Sequence, residues 1–341
     1  MYTLTGMTLA QLQKVCADEG FPKFTATQIC QWLYAKRVTA VDAMTNLSLK
    51  NRTRLNGIAT LGLSAPVDFQ TSVDGTKKYL FAVGDGNKPQ YVEAVFIPDG
   101  DRGTLCVSCQ VGCKMGCRFC VTGKQGFHGN LSVADILNQI LSIPESQQLT
   151  NIVFMGMGEP MDNYDAIKQT VEVITAPWGM GWSPHRLTVS TVGITPMLKR
   201  MLDEMECHVA VSLHNPVASE RAAIMPMQKA YPIEETVALL KRYNWRGQRR
   251  ISFEYTMFKG VNDDIAHAKQ LLQLLQGLYC RVNLIRFHAS DDVPYKPSDR
   301  ATMEKFRDYI DSHGIICTIR ASRGEDIMAA CGLLAGAQQG A

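Results

Sequence analysis

The chain has 341 residues, of which 46% are hydrophobic and 20% charged, with 35 Lys and Arg against 32 Asp and Glu. This composition excludes disorder, collagen-like repeats and coiled coil. The length admits two domains, or one α/β barrel with a small appendage, and buries a core without disulfide staples. No stretch nears the roughly 18 uninterrupted apolar residues of a membrane helix, and Met1 to Asp18 lacks a signal-peptide pattern. A cytoplasmic location with no membrane partner is expected. In such a reducing compartment, eleven cysteines point to metal ligands, redox groups or buried small hydrophobes.

In chain order, residues 8–19, 25–36 and 47–56 have helical spacing, with stripes at Leu9, Leu12 and Val15 and at Ile29, Trp32 and Leu33. Residues 1–60 read as a compact helical module carrying seven Lys and Arg against three Asp and Glu. A basic head of this kind can meet phosphates, although on charge alone it is a solvated helix surface. Segments 78–83 and 90–97 read as strands turning at Gly84 to Asn87, within a connecting region 61–103. From residue 104 to 341 short apolar strands alternate with helices. The strands fall at 104–108, 151–155, 186–191, 208–213, 250–257, 281–287 and 315–320. Helical patterns lie between them, for example at 132–142, 164–175, 233–243, 264–276 and 299–312. Such alternation means a mainly parallel sheet, an open or complete (β/α) barrel with its chemistry at the C-terminal ends of the strands. The tail from Gly332 is rich in Gly, Ala and Gln.

Cys113-Lys-Met-Gly-Cys117-Arg-Phe-Cys120 follows the first of these strands. Three thiolates in a tight CxxxCxxC loop suit one face of an iron–sulfur cube and leave the fourth iron open to a substrate or cofactor. A structural zinc knuckle wants four ligands, and a redox CxxC leaves Cys113 without a role. The motif resembles that of the radical S-adenosylmethionine (SAM) enzymes. The resemblance implies a [4Fe-4S] cluster whose open iron is chelated by SAM, which electron transfer then splits to a 5′-deoxyadenosyl radical. Met155-Gly-Met-Gly158-Glu159-Pro160 resembles the family's site for the SAM amino group. Its glycines would let the backbone approach a ligand, and its carboxylate would hold an ammonium. Ser190, Ser212, Leu213 and His214 end the next two strands and are expected at the barrel mouth. A core role for His214 is the simpler reading without the cysteines.

Further segments resemble one subfamily, the RlmN-type dual-specificity RNA adenine-2-methyltransferases. They are Thr104-Leu-Cys106, Thr122-Gly-Lys-Gln-Gly-Phe127 and Arg323-Gly-Glu-Asp-Ile-Met-Ala-Ala-Cys331-Gly, and the likeness runs over nearly the whole chain. It implies an adenine substrate in 23S rRNA and another beside the anticodon of certain tRNAs. It also implies two SAM per turnover. The first methylates Cys331. The second yields the radical that takes a hydrogen from that methyl group, and the resulting carbon adds to adenine carbon 2. Cys106 then removes the carbon-2 proton, and a Cys106–Cys331 disulfide remains for external thiols to reduce. Carbon 2 is electron-poor, so methyl-cation transfer does not serve there. Glu93 matches the family's acidic residue for proton handling. His288 stands where the family commonly has a SAM-contacting asparagine.

Cys109 stands where the family usually has serine, and is expected on the opposite strand face from Cys106, inert or in a competing disulfide. Cys16, Cys30, Cys207, Cys280 and Cys317 are read as structural. The likeness further implies an external electron donor of the flavodoxin–reductase kind, and a monomer is expected. Three rivals stay open. A sister group methylates carbon 8 of the same adenine, from which the Thr122–Phe127 segment separates this chain. An iron–sulfur carrier or sensor that binds RNA would have a fully ligated cluster. A radical SAM activase would give Cys331 no role.

Overall fold

The structure is a computed structural model that describes residues 1–84, 89–289, 293–330 and 332–335. At the N-terminus, β1 (Tyr2–Thr3) precedes α1 (Leu9–Asp18), α2 (Thr25–Cys30), α3 (Leu49–Ile58) and β2 (Ala59–Thr60), and β2 pairs in parallel with β1. Thr8 starts α1 through a capping box with Gln11. The helix expected over 25–36 divides: α2 runs into a π-turn over Gln31–Ala35. The extra residue per turn places Leu33 and Tyr34 in the core and leaves Trp32 partly exposed. Tyr34 lies edge-on to Trp178 at 6.2 Å, Gln169 Nε2 donates to the Gly6 carbonyl at 2.7 Å, and the Arg37 guanidinium donates to Ser146. The module therefore rests on the body of the protein, and part of its charge is used internally. Arg52 donates to the Asp42 carbonyl, Arg54 faces Glu19 at 3.7 Å and Arg37 is largely buried.

Four strands then form a meander: β3 (Asp68–Thr71), β4 (Lys77–Val83), β5 (Gln90–Asp99) and β6 (Arg102–Cys106). Of the turn expected between β4 and β5, Asp85 to Asn87 lie outside the described residues. A small hairpin follows, β7 (Gln110–Gly112) with β8 (Phe127–Asn130), enclosing the cysteine loop and the single turn α4 (Val121–Lys124). The alternating region comprises α5 (Val133–Leu141), β9 (Leu149–Phe154), α6 (Tyr164–Thr175), β10 (Leu187–Thr191), α7 (Thr195–Glu204), β11 (His208–Ser212), α8 (Ala218–Ile224) and α9 (Ile233–Leu240). It ends with β12 (Ile251–Met257), α10 (Ile265–Leu275), β13 (Arg281–Arg286), α11 (Arg300–Ser312) and β14 (Ile316–Ile319).

One ten-stranded sheet results, in the order β14-β13-β12-β11-β10-β9-β6-β5-β4-β3. From β6 to β14 neighbouring strands are parallel, as βαβ crossovers require. The sheet is an open barrel, extended by the antiparallel meander. Alternation sets its two faces. Val189, Val209, Val211, Phe253, Tyr255, Val282 and Leu284 are buried on the helix side, where the Tyr255 ring meets Phe306 of α11 at 5.2 Å. The opposite face carries Ser190, Ser212, Glu254 and Thr256 and curls around a cavity.

Candidate active site

The cavity encloses about 1290 Å³, its open mouth included, at the C-terminal ends of the parallel strands. Its wall takes Val95 from β5, Cys106 from the end of β6, Ser190 from β10, Ser212 from β11, Glu254 from β12 and Ile285 from β13. With Val153 and Phe154 of β9 the cavity touches seven strands, which requires the sheet to bend around it.

Cys113, Cys117 and Cys120 all line this cavity. The Cys113 N–H donates to the Gly126 carbonyl, and the Cys120 N–H to that of Cys117. Arg118 N–H donates to the Ile224 carbonyl, tying the loop to α8. Gly116 turns the loop at φ 66°. Burial is the largest influence on the Cys113 and Cys117 thiols. It pushes Cys113 up to about 12 and raises Cys117 further, with repulsion from the neighbouring cysteines adding to the effect on Cys117. Ligation of a metal therefore has to displace protons from sites that hold them firmly.

Glu159 is buried at the cavity wall. Its Oε1 accepts from Met161 N–H at 3.1 Å and its Oε2 from Val192 N–H at 2.9 Å, while the Thr191 hydroxyl adds a third bond. Burial outweighs these bonds and pushes the carboxyl up to about 7. The glycines before it serve packing first. A Cβ on Gly158, at φ 99°, would stand 2.5 Å from the Gln110 Cβ, and one on Gly156 would stand 2.7 Å from the Val107 carbonyl oxygen. They admit the 107–110 backbone, and both also line the cavity.

His214 lines the cavity in the left-handed region, at φ 56°. Its Nδ1 accepts from the Thr256 N–H at 2.9 Å, which leaves the proton on Nε2. Burial pushes the imidazole down to about 3, so the ring is neutral. Phe119 meets it edge-on at 4.9 Å.

Four of the sequence-selected residues stand elsewhere or differently. Leu213 is fully buried and contributes its backbone to strand pairing instead of a cavity surface. His288 is not on the cavity wall: its Nε2 lies 3.1 Å from Ser322 Oγ and its Nδ1 3.7 Å from Glu325. Glu93 shares the face of β5 with the cavity residue Val95, but its carboxylate is 3.1 Å from Lys78 Nζ and accepts the Ala335 N–H at 2.7 Å. Cys109 does not face away on a strand, because β6 ends at Cys106. It is buried in the turn before β7, its N–H donating to Met157 and its carbonyl accepting from Leu131 and Asn163. Cys331 lies outside the described residues. Ala329, Ala330, Gly332 and Leu334 around it all line the cavity.

Sequence reasoning missed Arg221, which is fully buried in α8. Its guanidinium donates to the carbonyls of Val192, Ser212 and Leu213 and to Gln228 Oε1. It thus clamps the ends of β10 and β11, and its charge opposes the rise in the Cys117 pKa. In Ala-Ser-Glu-Arg-Ala-Ala-Ile an arginine reads as a solvated helix face, so no sequence signal marked it.

A family model described as the radical SAM superfamily matches residues 107–272. Another, described as the ribosomal RNA large subunit methyltransferase N-terminal domain, matches residues 2–61. A Bacteroides fragilis protein named probable dual-specificity RNA methyltransferase RlmN is 57% identical over 338 residues, covering 99% of this chain and 97% of its own. A Syntrophus aciditrophicus protein named dual-specificity RNA methyltransferase RlmN is 40% identical, covering 97% of this chain and 95% of its own. The crystal structure of a radical SAM methyltransferase from Sphaerobacter thermophilus superposes with a TM-score of 0.92 at 38% identity, over 99% of this chain and 100% of that one. The fold and the cysteine-lined cavity are thus of the radical SAM class. The chain belongs to the RlmN family within it.

Membership in that superfamily implies a [4Fe-4S] cluster and SAM. The residues present fit both. Three thiols from one CxxxCxxC loop share one cavity wall. A three-thiolate set in one tight loop suits one face of an iron–sulfur cube, whereas structural zinc takes four ligands. Among the described residues no helix is long and apolar enough to cross a membrane.

Proposed function

We propose that this chain methylates carbon 2 of an adenine in 23S rRNA, and of an adenine beside the anticodon of tRNA, through Cys331 and Cys106. The observation that carries the reading is one cavity lined together by Cys106, the three cluster cysteines, Glu159 and both flanks of position 331. The cluster, held by Cys113, Cys117 and Cys120, and SAM would supply a one-electron source and a hydrogen-abstracting agent.

The chain's own residues do the remainder. Gly158, Glu159, Ser190, Ser212 and His214 form the SAM side of the cavity, with Leu213 packed behind it, Glu159 as partner of the amino group and the neutral His214 presenting Nε2–H. His288 acts through Ser322 and Glu325 on the segment leading to position 331. Cys331 carries the methyl group, loses a hydrogen atom from it and bonds through that carbon to the base. Cys106 takes the carbon-2 proton. As the covalent link to RNA breaks, the two sulfurs join in a disulfide, and external thiols return both to the reduced state. Glu93 receives and passes protons from behind Cys106. Two SAM are consumed per turnover, electrons come from a flavodoxin-type donor, and the protein works as a cytoplasmic monomer.

The base is unstacked to enter the cavity. The N-terminal module grips RNA outside, with Lys14, Lys23 and Lys50 among its exposed cations. Because Tyr34 packs on Trp178 and the Gly6 carbonyl accepts from Gln169, deleting the module would open the core. Substituting those three lysines is the cleaner test, and should weaken RNA binding while leaving SAM cleavage intact.

The deciding experiment is anaerobic. Cluster-loaded protein is given reductant, methyl-labelled SAM and a 23S rRNA fragment, and the digested nucleosides are identified by mass spectrometry. 2-Methyladenosine is expected. 8-Methyladenosine would move the chain to the sister activity. No methylated adenosine, with SAM still cleaved, would overturn the reading.

A further inference from the structure

A second pocket lies at the opposite end of the barrel, at the N-terminal ends of β12, β13 and β14. It encloses about 540 Å³ and is bounded by the loop from α9 to β12 and by the start of β13. Arg246, Arg250, Arg281 and Tyr279 line it, and no acidic residue among those described does.

The sequence concentrates charge here. Residues 241–250, Lys-Arg-Tyr-Asn-Trp-Arg-Gly-Gln-Arg-Arg, hold five Lys and Arg and no acid. Arg249 turns inward to the carbonyls of Leu202 and Cys207. Arg246, Arg250 and Arg281 are exposed, and no ion pair to them occurs among the described residues. Elsewhere on the surface Arg200, Arg300 and Arg307 each meet a carboxylate within 3.5 Å. The field at the pocket is correspondingly positive. His208, which begins β11 and stacks on His185 at 5.5 Å, is pushed down to about 4, first by burial, then by His185 and by Arg250, Arg249 and Arg281.

Three such guanidiniums around a polar hollow match a phosphate, whose oxygens accept paired N–H donors. Tyr279 is 61% exposed beside Arg246, with 5.8 Å between the guanidinium carbon and the ring centre. It offers a flat face to a base. We propose that this rim pocket binds the phosphate ester of a nucleotide, with Arg246, Arg250 and Arg281 on the phosphate and Tyr279 on the base. An acidic electron-donor protein is the less favoured occupant. From Arg250 to Thr256 the strand rises about 20 Å, at about 3.3 Å per residue, which separates the pocket from the cysteine loop. Where the nucleotide belongs to an RNA strand, the inference rests on the RNA-modifying function. Where it is a free nucleotide, it does not.

The test is binding by the full-length protein, wild type against Arg250→Ala/Arg281→Ala, with Lys269→Ala as a control for one exposed charge elsewhere. Two probes are used: AMP, followed by isothermal calorimetry, and a tRNA, followed by anisotropy across a salt series. If the source is an RNA strand, the double variant should bind tRNA about tenfold or more weakly, with a salt slope lower by about 1 for each phosphate-binding arginine removed. If it is a free nucleotide, AMP binding should fall by a similar factor while tRNA binding stays. Lys269→Ala should change neither. The double variant should keep wild-type SAM cleavage without RNA, which shows that it folds. Unchanged binding of both probes, or an equal loss in Lys269→Ala, would overturn the proposal. A chain that fails to methylate RNA yet loses AMP affinity in the double variant would separate this site's success from the failure of the functional reading.

Discussion

Glu159→Gln tests the electrostatics of the cavity through stability. In the fold the carboxyl is pushed up to about 7, chiefly by burial, against 4.5 for the same group in water. Between those values the native state binds a proton that the unfolded chain has released, so stability falls as pH rises through the window. The difference of about 2.5, at roughly 1.4 kcal/mol for each, makes the ionised side chain cost about 3.5 kcal/mol well above pH 7. Glutamine cannot ionise. It also satisfies fewer of the donors from Met161, Val192 and Thr191, but that loss does not depend on pH and cancels in a comparison across pH. Urea unfolding of cluster-free protein at pH 5 and pH 7.5 should therefore show the variant gaining about 2 to 3 kcal/mol on wild type between the two. His214 and His208 titrate in neither folded form within this window and contribute equally to both proteins. A gain below about 0.5 kcal/mol would refute a protonated, burial-dominated Glu159.

Three further outcomes follow from the geometry. Gly158→Ala, with its Cβ forced to 2.5 Å from that of Gln110 at φ 99°, should lose about 2 to 3 kcal/mol in thermal unfolding, and an unchanged melt would contradict the close approach. His214 should not titrate between pH 5 and 8 in imidazole nitrogen shifts of cluster-free protein, because burial holds it near 3; a midpoint near 6.5 would place it in water. Lys78→Ala strands the buried Glu93 carboxylate and should cost about 3 to 5 kcal/mol, whereas Lys78→Met with Glu93→Leu together should recover most of it; equal losses in both would show that the pair's charge is not what matters.

Much of the barrel was legible because parallel strands buried on one face by helices are short apolar runs. β9 to β14 lie within a residue or two of their expected places. The β7–β8 hairpin and β3 were not, since Gln-Val-Gly and Asp-Phe-Gln-Thr are too short and polar to show periodicity. They form because a neighbouring strand supplies the partner. Cysteine spacing located the cluster loop, since chemistry fixes both residue type and separation there. Leu213, His288 and Arg221 show where such reading stops. Whether a residue at a strand end faces a cavity, packs behind it or clamps it from a helix depends on the three-dimensional neighbours. Nothing in one-dimensional spacing distinguishes the glycines that admit a ligand from those that admit a backbone, as Gly156 and Gly158 do.

The C-terminal segment links the parts of the cavity that sequence left separate. Gly324 N–H donates to Asp74, and Asp326 accepts from the Ser72 hydroxyl at 2.5 Å, so the start of the segment is fixed on the meander. Beyond position 331, Val121 N–H donates to the Gly332 carbonyl at 2.8 Å, and the Thr122 hydroxyl to that of Leu334 at 2.6 Å. The second anchor is thus α4, the turn that immediately follows Cys120. The two anchors, at Asp326 and Gly332, are only six positions apart, which at about 3.6 Å per residue is a short span of chain. Each anchoring bond to neutral backbone contributes only about 1 kcal/mol. The second anchor can therefore open without disturbing the sheet. The turn that closes the cluster loop and the turn that holds Gly332 and Leu334 are thus one and the same, α4.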